Sequence, residues 1–154
     1  MDEMKSVVFH LDHEKYGINI ERVLGIEREQ QIVRVPNTVN YIRGIMNLRG
    51  EVIPVYALRR KFNLPDSQKD TSEFMIVRIR NTKIALEVDR VKEIYKISSE
   101  NLLQMPVICV NDDTRYFKYV IRHGTDLIVI LDVDALFSEE ELERIDQMVN
   151  QIEI

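Results

Sequence analysis

The 154-residue chain is 45% hydrophobic and 31% charged, the usual balance of a soluble globular domain. No apolar stretch is long enough to form a transmembrane helix, and the N-terminus lacks the apolar core of a signal peptide. The net charge of −5 argues against general binding to nucleic-acid phosphates, and the lone cysteine, Cys109, excludes an intrachain disulfide and is expected to be a buried thiol. We therefore expect a cytosolic protein that does not insert into membranes.

Alternation of apolar and polar residues predicts β-strands along most of the chain. The first two form a hairpin with one buried face, turning at residues 12–14. Pro54 lies within a later strand and indicates an edge position or a bulge, because proline cannot donate a hydrogen bond to a neighbouring strand. The basic run 59–61 fits the solvated face of a short helix. The strands predicted in this part cover residues 7–11, 16–20, 32–35, 42–48 and 51–57.

The second part of the chain resumes this pattern after a polar loop at residues 65–72. Its predicted strands cover residues 74–80, 82–88, 91–97, 116–122 and 127–132, with a hairpin turn at 80–82. The end of the chain is different, because Ser138 and Glu141 have the spacing of a capping box and acidic residues favour the start of a helix. A helix with one docked face is predicted over about 139–151, from the helical spacing of Leu142, Ile145, Met148, Val149 and Ile152.

The two parts are related by an internal repeat. Residues 7–27 align with residues 75–95 without a gap, at an offset of 68, and apolar positions match through both strands of the hairpin. A second block pairs Gly50 with Gly124 and residues 54–58 with 129–133, with one inserted residue. The duplication indicates two small β-barrels packed together. The halves differ at Arg49 against His123, Gly25 against Glu93 and Ala57 against Asp132, and there we expect them to take different partners.

Candidate catalytic groups do not converge in the sequence. His10 and His13 span a strand end and its turn, so a surface pair is expected rather than a zinc site. Asp132 and Asp134 follow a hydrophobic strand and are expected to cap its end. Asp112 and Asp113 are expected in a turn. Phosphate-binding glycine motifs are absent, and we expect no enzymatic activity, cofactor or metal.

One alternative function remains open from the residues alone. An aromatic cluster interleaved with basic residues could stack bases, as in a single-stranded nucleic-acid-binding β-barrel. The cluster comprises Tyr116, Phe117 and Tyr119 with Arg115 and Lys118. The acidic balance of the chain disfavours this hypothesis, and salt-dependent binding to single strands would discriminate it.

The segment 47–55, Asn-Leu-Arg-Gly-Glu-Val-Ile-Pro-Val, resembles the CheW family of chemotaxis coupling proteins. The surrounding residues fit the same family over nearly the whole chain, in order. They include residues 35–37, 41–44, 58, 62, 88–91, 128–132 and 137–138.

The resemblance implies an all-β fold with a C-terminal helix, in which two five-stranded SH3-like barrels pack on a shared core. The whole chain, 1–154, is expected to be one CheW-like domain, with the first barrel at 6–72, the second at 73–137 and the helix at 138–152. The implied role is a non-catalytic adaptor that couples the cytoplasmic tips of chemoreceptors to the regulatory domain of the histidine kinase CheA. Because the first strand starts close to Met1, a stand-alone coupler is favoured over a kinase regulatory domain or a CheV-type protein. Its expected location is the cytoplasm, associated with membrane receptor arrays through its partners.

The resemblance also implies partner-binding residues. Arg49 is the first candidate, either reaching a partner carboxylate or tying down its own loop. Many relatives carry glutamate at Gly25 and aspartate at Ala57, so here an internal carboxylate for Arg49 must come from Glu27 or Glu51. The full predicted set is Arg49, Asn47, Gly50 and Glu51 in the loop, Val23 and Ile26 near a groove, and their repeat partners Val91 and Ile94.

Overall fold

The structure, a computed structural model, describes residues 4–28, 30–35, 41–67, 72–103 and 115–152. The predictions for Cys109 and for the turn at Asp112 and Asp113 lie outside these residues. The strands are β1 (Met4–Leu11), β2 (Glu14–Asn19), β3 (Val23–Arg28), β4 (Ile42–Leu48), β5 (Glu51–Ala57), β6 (Glu73–Ile79), β7 (Thr82–Val88), β8 (Arg90–Ile97), β9 (Leu102–Leu103), β10 (Phe117–His123) and β11 (Asp126–Leu131). The α-helices are α1 (Leu58–Lys61) and α2 (Glu139–Ile152), and short 3₁₀ turns cover Ile20–Arg22, Ser99–Asn101 and Asp134–Leu136.

The strands form two sheets, as the predicted fold class requires. The six-stranded sheet has the order β8-β1-β2-β11-β10-β9, and the five-stranded sheet has the order β3-β6-β7-β5-β4. Neighbours are antiparallel except in the pairs β2–β11 and β5–β7. The sheets do not follow the predicted halves 6–72 and 73–137. The five-stranded sheet lies within residues 23–88, whereas the other combines 4–19 with 90–131.

An exchange of strands between the repeats explains this division. The hairpins β1–β2 and β6–β7 have the same register, with Val7 opposite Ile18 and Met75 opposite Leu86, at the offset of 68 seen in the sequence. The third strand of each repeat leaves its own hairpin, so that β3 pairs with β6 and β8 pairs with β1. The register shifts at the same repeat position in both exchanged pairs. This position is Leu24 in β3 and Lys92 in β8.

The second block of the repeat is also present, with a corrected alignment. Ala85 faces Val55 and Gly17 faces Ile130 in the two parallel pairs, so the block has an offset of 75. Two-residue turns follow β4 and β10, since Leu48 pairs with Glu51 and His123 pairs with Asp126. The sequence alignment of Gly50 with Gly124 was therefore wrong by one residue. Arg49 corresponds to Gly124, and no residue is inserted.

Two strand predictions are corrected. Residues 32–35 form no strand, and only an isolated bridge joins Val33 to Ile45 of β4. The bridge needs Gly44, because a Cβ there would lie 2.2 Å from the Val33 carbonyl oxygen. Pro54 lies in an interior strand, not at an edge. Its β4 partner, Ile45, exchanges both backbone hydrogen bonds with Val33 instead, so the ladder between β4 and β5 needs no donor at Pro54.

One shared core and two private cores hold the sheets. The shared core contains residues of both sheets and of α2, among them Phe9, Tyr56 and Leu142, which are at most 5% exposed. The far face of the six-stranded sheet encloses a private core that includes Val8 and Ile130. The far face of the five-stranded sheet encloses another. That cluster comprises Met46, Ile53, Val55, Phe74, Ile76 and Ala85. Each sheet therefore wraps its own interior while its other face joins the shared core.

The C-terminal helix has the predicted start and docked face. Ser138 Oγ accepts from the Glu141 N–H at 3.1 Å, and Glu141 Oε1 accepts from the Ser138 N–H at 3.2 Å, which completes the capping box. Leu142 and Ile145 are buried in the shared core. The prediction of a solvated basic face on α1 was wrong for Arg59, whose side chain is only 14% exposed and binds carboxylates of two other segments.

Candidate partner-binding surface

The turn between β4 and β5 holds Arg49 in a constrained conformation. Arg49 has φ +51° and Gly50 has φ +90°, the left-handed pair expected in a two-residue hairpin turn. Asn47 Oδ1 accepts a hydrogen bond of 3.0 Å from the Gly50 N–H. Asparagine, arginine and glycine of the motif thus act together, since the amide and the glycine fix the turn on which the arginine stands.

One nitrogen of the Arg49 guanidinium contacts a carboxylate, and most of the side chain is exposed to solvent. Its Nη2 lies 2.9 Å from Glu27 Oε1, and the side chain is 77% exposed while that of Glu27 is 18% exposed. Glu27 lies on β3 and Arg49 follows β4, which are the two edge strands of the five-stranded sheet. The ion pair therefore joins the two edges of this sheet. Of the two predicted carboxylates, Glu27 contacts Arg49, whereas Glu51 pairs with Lys83 at 2.9 Å.

The four predicted apolar residues divide into two kinds. Val23 and Val91 pack against the shared core and are partly buried. Ile26 and Ile94 are 41% and 52% exposed. Each lies beside a shared-core residue of the neighbouring strand, Met75 and Val7 respectively, and cross-strand partners share a face of the sheet. The two isoleucines therefore extend the shared core to the surface at the outer strands β3 and β8.

Leu24 was missed by the sequence analysis. It is 51% exposed and adds to the apolar surface of β3. Leu24 lies at the register shift between β3 and β6, and the alternation of apolar and polar residues in the sequence does not reveal that shift. Val33 and Leu127 are also exposed, at 59% and 58%.

In the other sheet a ring stack lies next to the position that corresponds to the Arg49–Glu27 pair, because His123 directly precedes Gly124, the counterpart of Arg49. Tyr95 corresponds to Glu27 at the offset of 68, and His123 stacks on Tyr95 with ring centroids 3.9 Å apart. The Tyr95 hydroxyl donates to Glu93 Oε1 at 2.6 Å, and this bond, with burial, raises the pKa of Tyr95 to about 12. Closely related positions in the two repeats thus differ in chemistry: one offers a cation, the other an aromatic pair.

Other candidate groups from the sequence have structural surroundings. His10 is half-buried on β1 rather than on the surface, and its Nε2 atom is buried without a hydrogen-bond partner in the described part of the chain. No cluster of three potential metal ligands occurs among the described residues. Asp132 Oδ1 accepts from the Asp134 N–H at 3.1 Å, as predicted for a strand-end cap.

The aromatic cluster considered for base stacking packs inward. Tyr116 is 7% exposed and stacks on Phe62 with centroids 5.5 Å apart. Phe117 packs on the shared core and Tyr119 on a private core. In the described residues, no helix is long and apolar enough to span a membrane.

Comparisons with known proteins give the family. Residues 5–141 match the family model described as the CheW-like domain. The chain is 30% identical to the chemotaxis protein CheW of Treponema pallidum, covering 94% of this chain and 88% of that protein. It is 29% identical to the chemotaxis protein CheW of Klebsiella aerogenes, with coverage of 92% and 86%.

The fold agrees with a solved structure of the same kind. The crystal structure of the scaffolding protein TtCheW from Thermoanaerobacter tengcongensis matches with a TM-score of 0.80 and 31% identity. The match covers 91% of this chain and 96% of that one. The family model, the full-length relatives and the shared fold agree, and the chain therefore belongs to the CheW family of chemotaxis scaffold proteins.

Proposed function

We propose that this chain is a non-catalytic adaptor that couples the cytoplasmic tips of chemoreceptors to the regulatory domain of the histidine kinase CheA. This role would place it in the cytoplasm, at membrane receptor arrays that it reaches through its partners. Family membership supports a scaffold role in chemotaxis. The two named partners are our proposal.

The observation that carries the proposal is the presentation of Arg49. A hairpin turn fixes its backbone, Glu27 holds one end of the guanidinium, and the side chain remains 77% exposed. A planar guanidinium with free donors suits a carboxylate on a partner. Asn47 and Gly50 contribute by fixing the turn, and Glu51 by its ion pair with Lys83 beside it.

The apolar residues would supply the second part of the interface. Leu24, Ile26 and Ile94 are exposed apolar side chains on the outer strands β3 and β8, and the two isoleucines lie beside residues of the shared core. A partner that covers these side chains removes apolar surface from water, which favours binding by a free energy of about 25 cal/mol per Å² buried. Val23 and Val91 lie on the same two strands and pack against the shared core.

The test is a pull-down of the full chain against a receptor cytoplasmic fragment and against the CheA regulatory domain, separately. Arg49→Glu is expected to weaken capture of at least one partner by tenfold or more, since it places a carboxylate beside Glu27 where a cation stood; this figure is about 1.4 kcal/mol. The circular dichroism spectrum should stay unchanged.

Arg80→Glu is the matched control. Arg80 has φ +56°, stands at the same place in the β6–β7 turn and also pairs with a glutamate, Glu139. Both variants replace the arginine of an arginine–glutamate ion pair by a second carboxylate. Equal capture by the two folded variants would remove Arg49 from the interface, and capture of neither fragment by the unmodified chain would refute the coupling role.

A further inference from the structure

A pocket of about 310 Å³ lies at the other end of β4 from the Arg49 turn. Its lining residues are Arg34, Val35, Ile42, Arg43 and Arg60. Three of these five residues are arginines, in a chain with a net charge of −5. The pocket is therefore a local concentration of positive charge beside aliphatic surface.

Arg43 is held in this pocket by an ion pair with a buried carboxylate. It lies at the register shift between Ile42 and Gly44, which changes the direction of its side chain relative to a regular strand. Its guanidinium contacts the carboxylate of Glu87, a residue only 9% exposed on β7, while the Arg43 side chain is 43% exposed. A buried carboxylate thus fixes an arginine whose outer side faces solvent.

A carboxylate of the chain itself already lies beside the pocket. Asp66 accepts two long contacts of 3.3 Å from Arg60 and is 69% exposed. The hydrogen bond from Arg60, together with the charges of Arg43 and Arg59, lowers the pKa of Asp66. These contacts are long and the residue is exposed, so Asp66 is a weakly held partner of Arg60 that another carboxylate could replace.

We propose that the pocket formed by Arg34, Arg43 and Arg60 binds a carboxylate side chain in an acidic peptide segment of a protein partner, in competition with Asp66. Guanidinium groups bind carboxylates through paired, charge-assisted hydrogen bonds. Six residue steps separate Arg43 from Arg49, about 20 Å along the strand, so this is a second contact, independent of the proposed Arg49 interface.

The test is an NMR titration of the full chain that follows the arginine Nε–Hε signals. The probe is a synthetic hexapeptide of alternating glutamate and aspartate. The signals of Arg43 and Arg60 are expected to shift, and Asp66→Asn should tighten binding about twofold to fivefold, the equivalent of an exposed ion pair. Arg34→Ala should weaken binding and its dependence on salt. Arg144→Ala, which removes an exposed arginine paired with Glu140 on α2, should change neither.

Three outcomes would overturn the proposal. Arg34→Ala and Arg60→Ala could bind the peptide like the unmodified chain. Asp66→Asn could leave the affinity unchanged, which would remove the competition. Inorganic phosphate at equal concentration could shift the same signals and displace the peptide, which would make this a site for small free oxyanions. Each result is independent of the Arg49→Glu pull-down, so the two proposals can fail separately.

Discussion

At the scale of single residues, two arginines occupy strained turn positions and contact glutamates of other elements. Arg49 and Arg80 adopt a left-handed conformation where asparagine or glycine is usual, at a cost of about 1 kcal/mol. Each contacts a glutamate of another element, Glu27 or Glu139. The motif predicted the turn, and the comparison with the resembling family left Glu27 and Glu51 as the internal carboxylates for Arg49. The sequence could not choose between them, because the choice depends on how the distant edge strands β3 and β4 approach each other.

His10 gives a pH prediction at the same scale. Burial first, and then the charges of Lys15, Lys92 and Arg90, lower the pKa of His10 below its usual 6.5, with Asp126 acting in the opposite direction. Between the lowered pKa and 6.5, the unfolded state binds more protons than the folded state. The free energy of unfolding should therefore fall as the pH is lowered through this window. Urea unfolding between pH 5 and pH 8 measures the slope.

Two histidine variants separate this effect from general acid unfolding. His10→Gln should flatten the slope near pH 6, because it removes the titrating group. His13→Gln, in the exposed β1–β2 turn, should retain the slope of the unmodified chain. The same slope in all three proteins would contradict the assignment.

At the scale of elements, local patterns predicted hairpins and the C-terminal helix well. Strand β3 was missed, although its repeat partner β8 was predicted at 91–97. Its run includes Gly25, and its register shift at Leu24 breaks the alternation on which strand prediction depends. Applying the offset of 68 to β8 would have found β3. The bridge at Val33 likewise depends on a non-local approach to Gly44.

The capping box of α2 gives a stability prediction. Ser138→Ala removes the acceptor for the Glu141 N–H and should lower the free energy of unfolding by about 1 kcal/mol. Ser98→Ala is the matched control, because Ser98 precedes a 3₁₀ turn without making a side-chain cap hydrogen bond. Chemical denaturation of both variants measures the difference. A loss for Ser98→Ala as large as that for Ser138→Ala would show that the cap adds nothing.

At the scale of the whole molecule, oppositely charged contacts link the two sheets. Arg59, after β5, binds Asp12 and both carboxylate oxygens of Asp89, each at 2.6 Å. Its repeat counterpart at the offset of 75 is Asp134, which binds Arg22 at 2.7 and 2.8 Å. The two repeat-related positions thus carry opposite charges, and each binds an oppositely charged residue shortly after the end of a hairpin strand, Asp89 for Arg59 and Arg22 for Asp134. Such reversal favours the native position of each segment, because in the position of its repeat counterpart it would face a like charge.

Arg59→Ala should destabilise the whole chain at once. It leaves Asp12 and Asp89 adjacent without their cation, and we expect a loss of about 2 kcal/mol. Because both sheets share one core, the denaturation midpoint should fall without a change in slope. Arg60→Ala, which removes only an exposed pair with Asp66, should cost about 1 kcal/mol or less. Two separate transitions in Arg59→Ala would contradict a single cooperative unit.

The sequence analysis predicted two β units on a shared core but assigned each to one half of the chain. Hairpins are local, and their register follows from their own residues. The partner of a third strand is not local. The first strands β1 and β6 have similar apolar patterns, so each could pair with β3 or β8, and only tertiary packing decides between them.

The exchange of third strands has a consequence for how the chain folds during synthesis. When the ribosome has released only the first 72 residues, β3 and β4 lack the hairpin that lies between them in their sheet. The five-stranded sheet can be completed only after residue 88 has emerged, and the six-stranded sheet only after residue 131. The hairpin β1–β2, although it is made first, must wait for strands of residues 90–131, so the six-stranded sheet is the last to be completed.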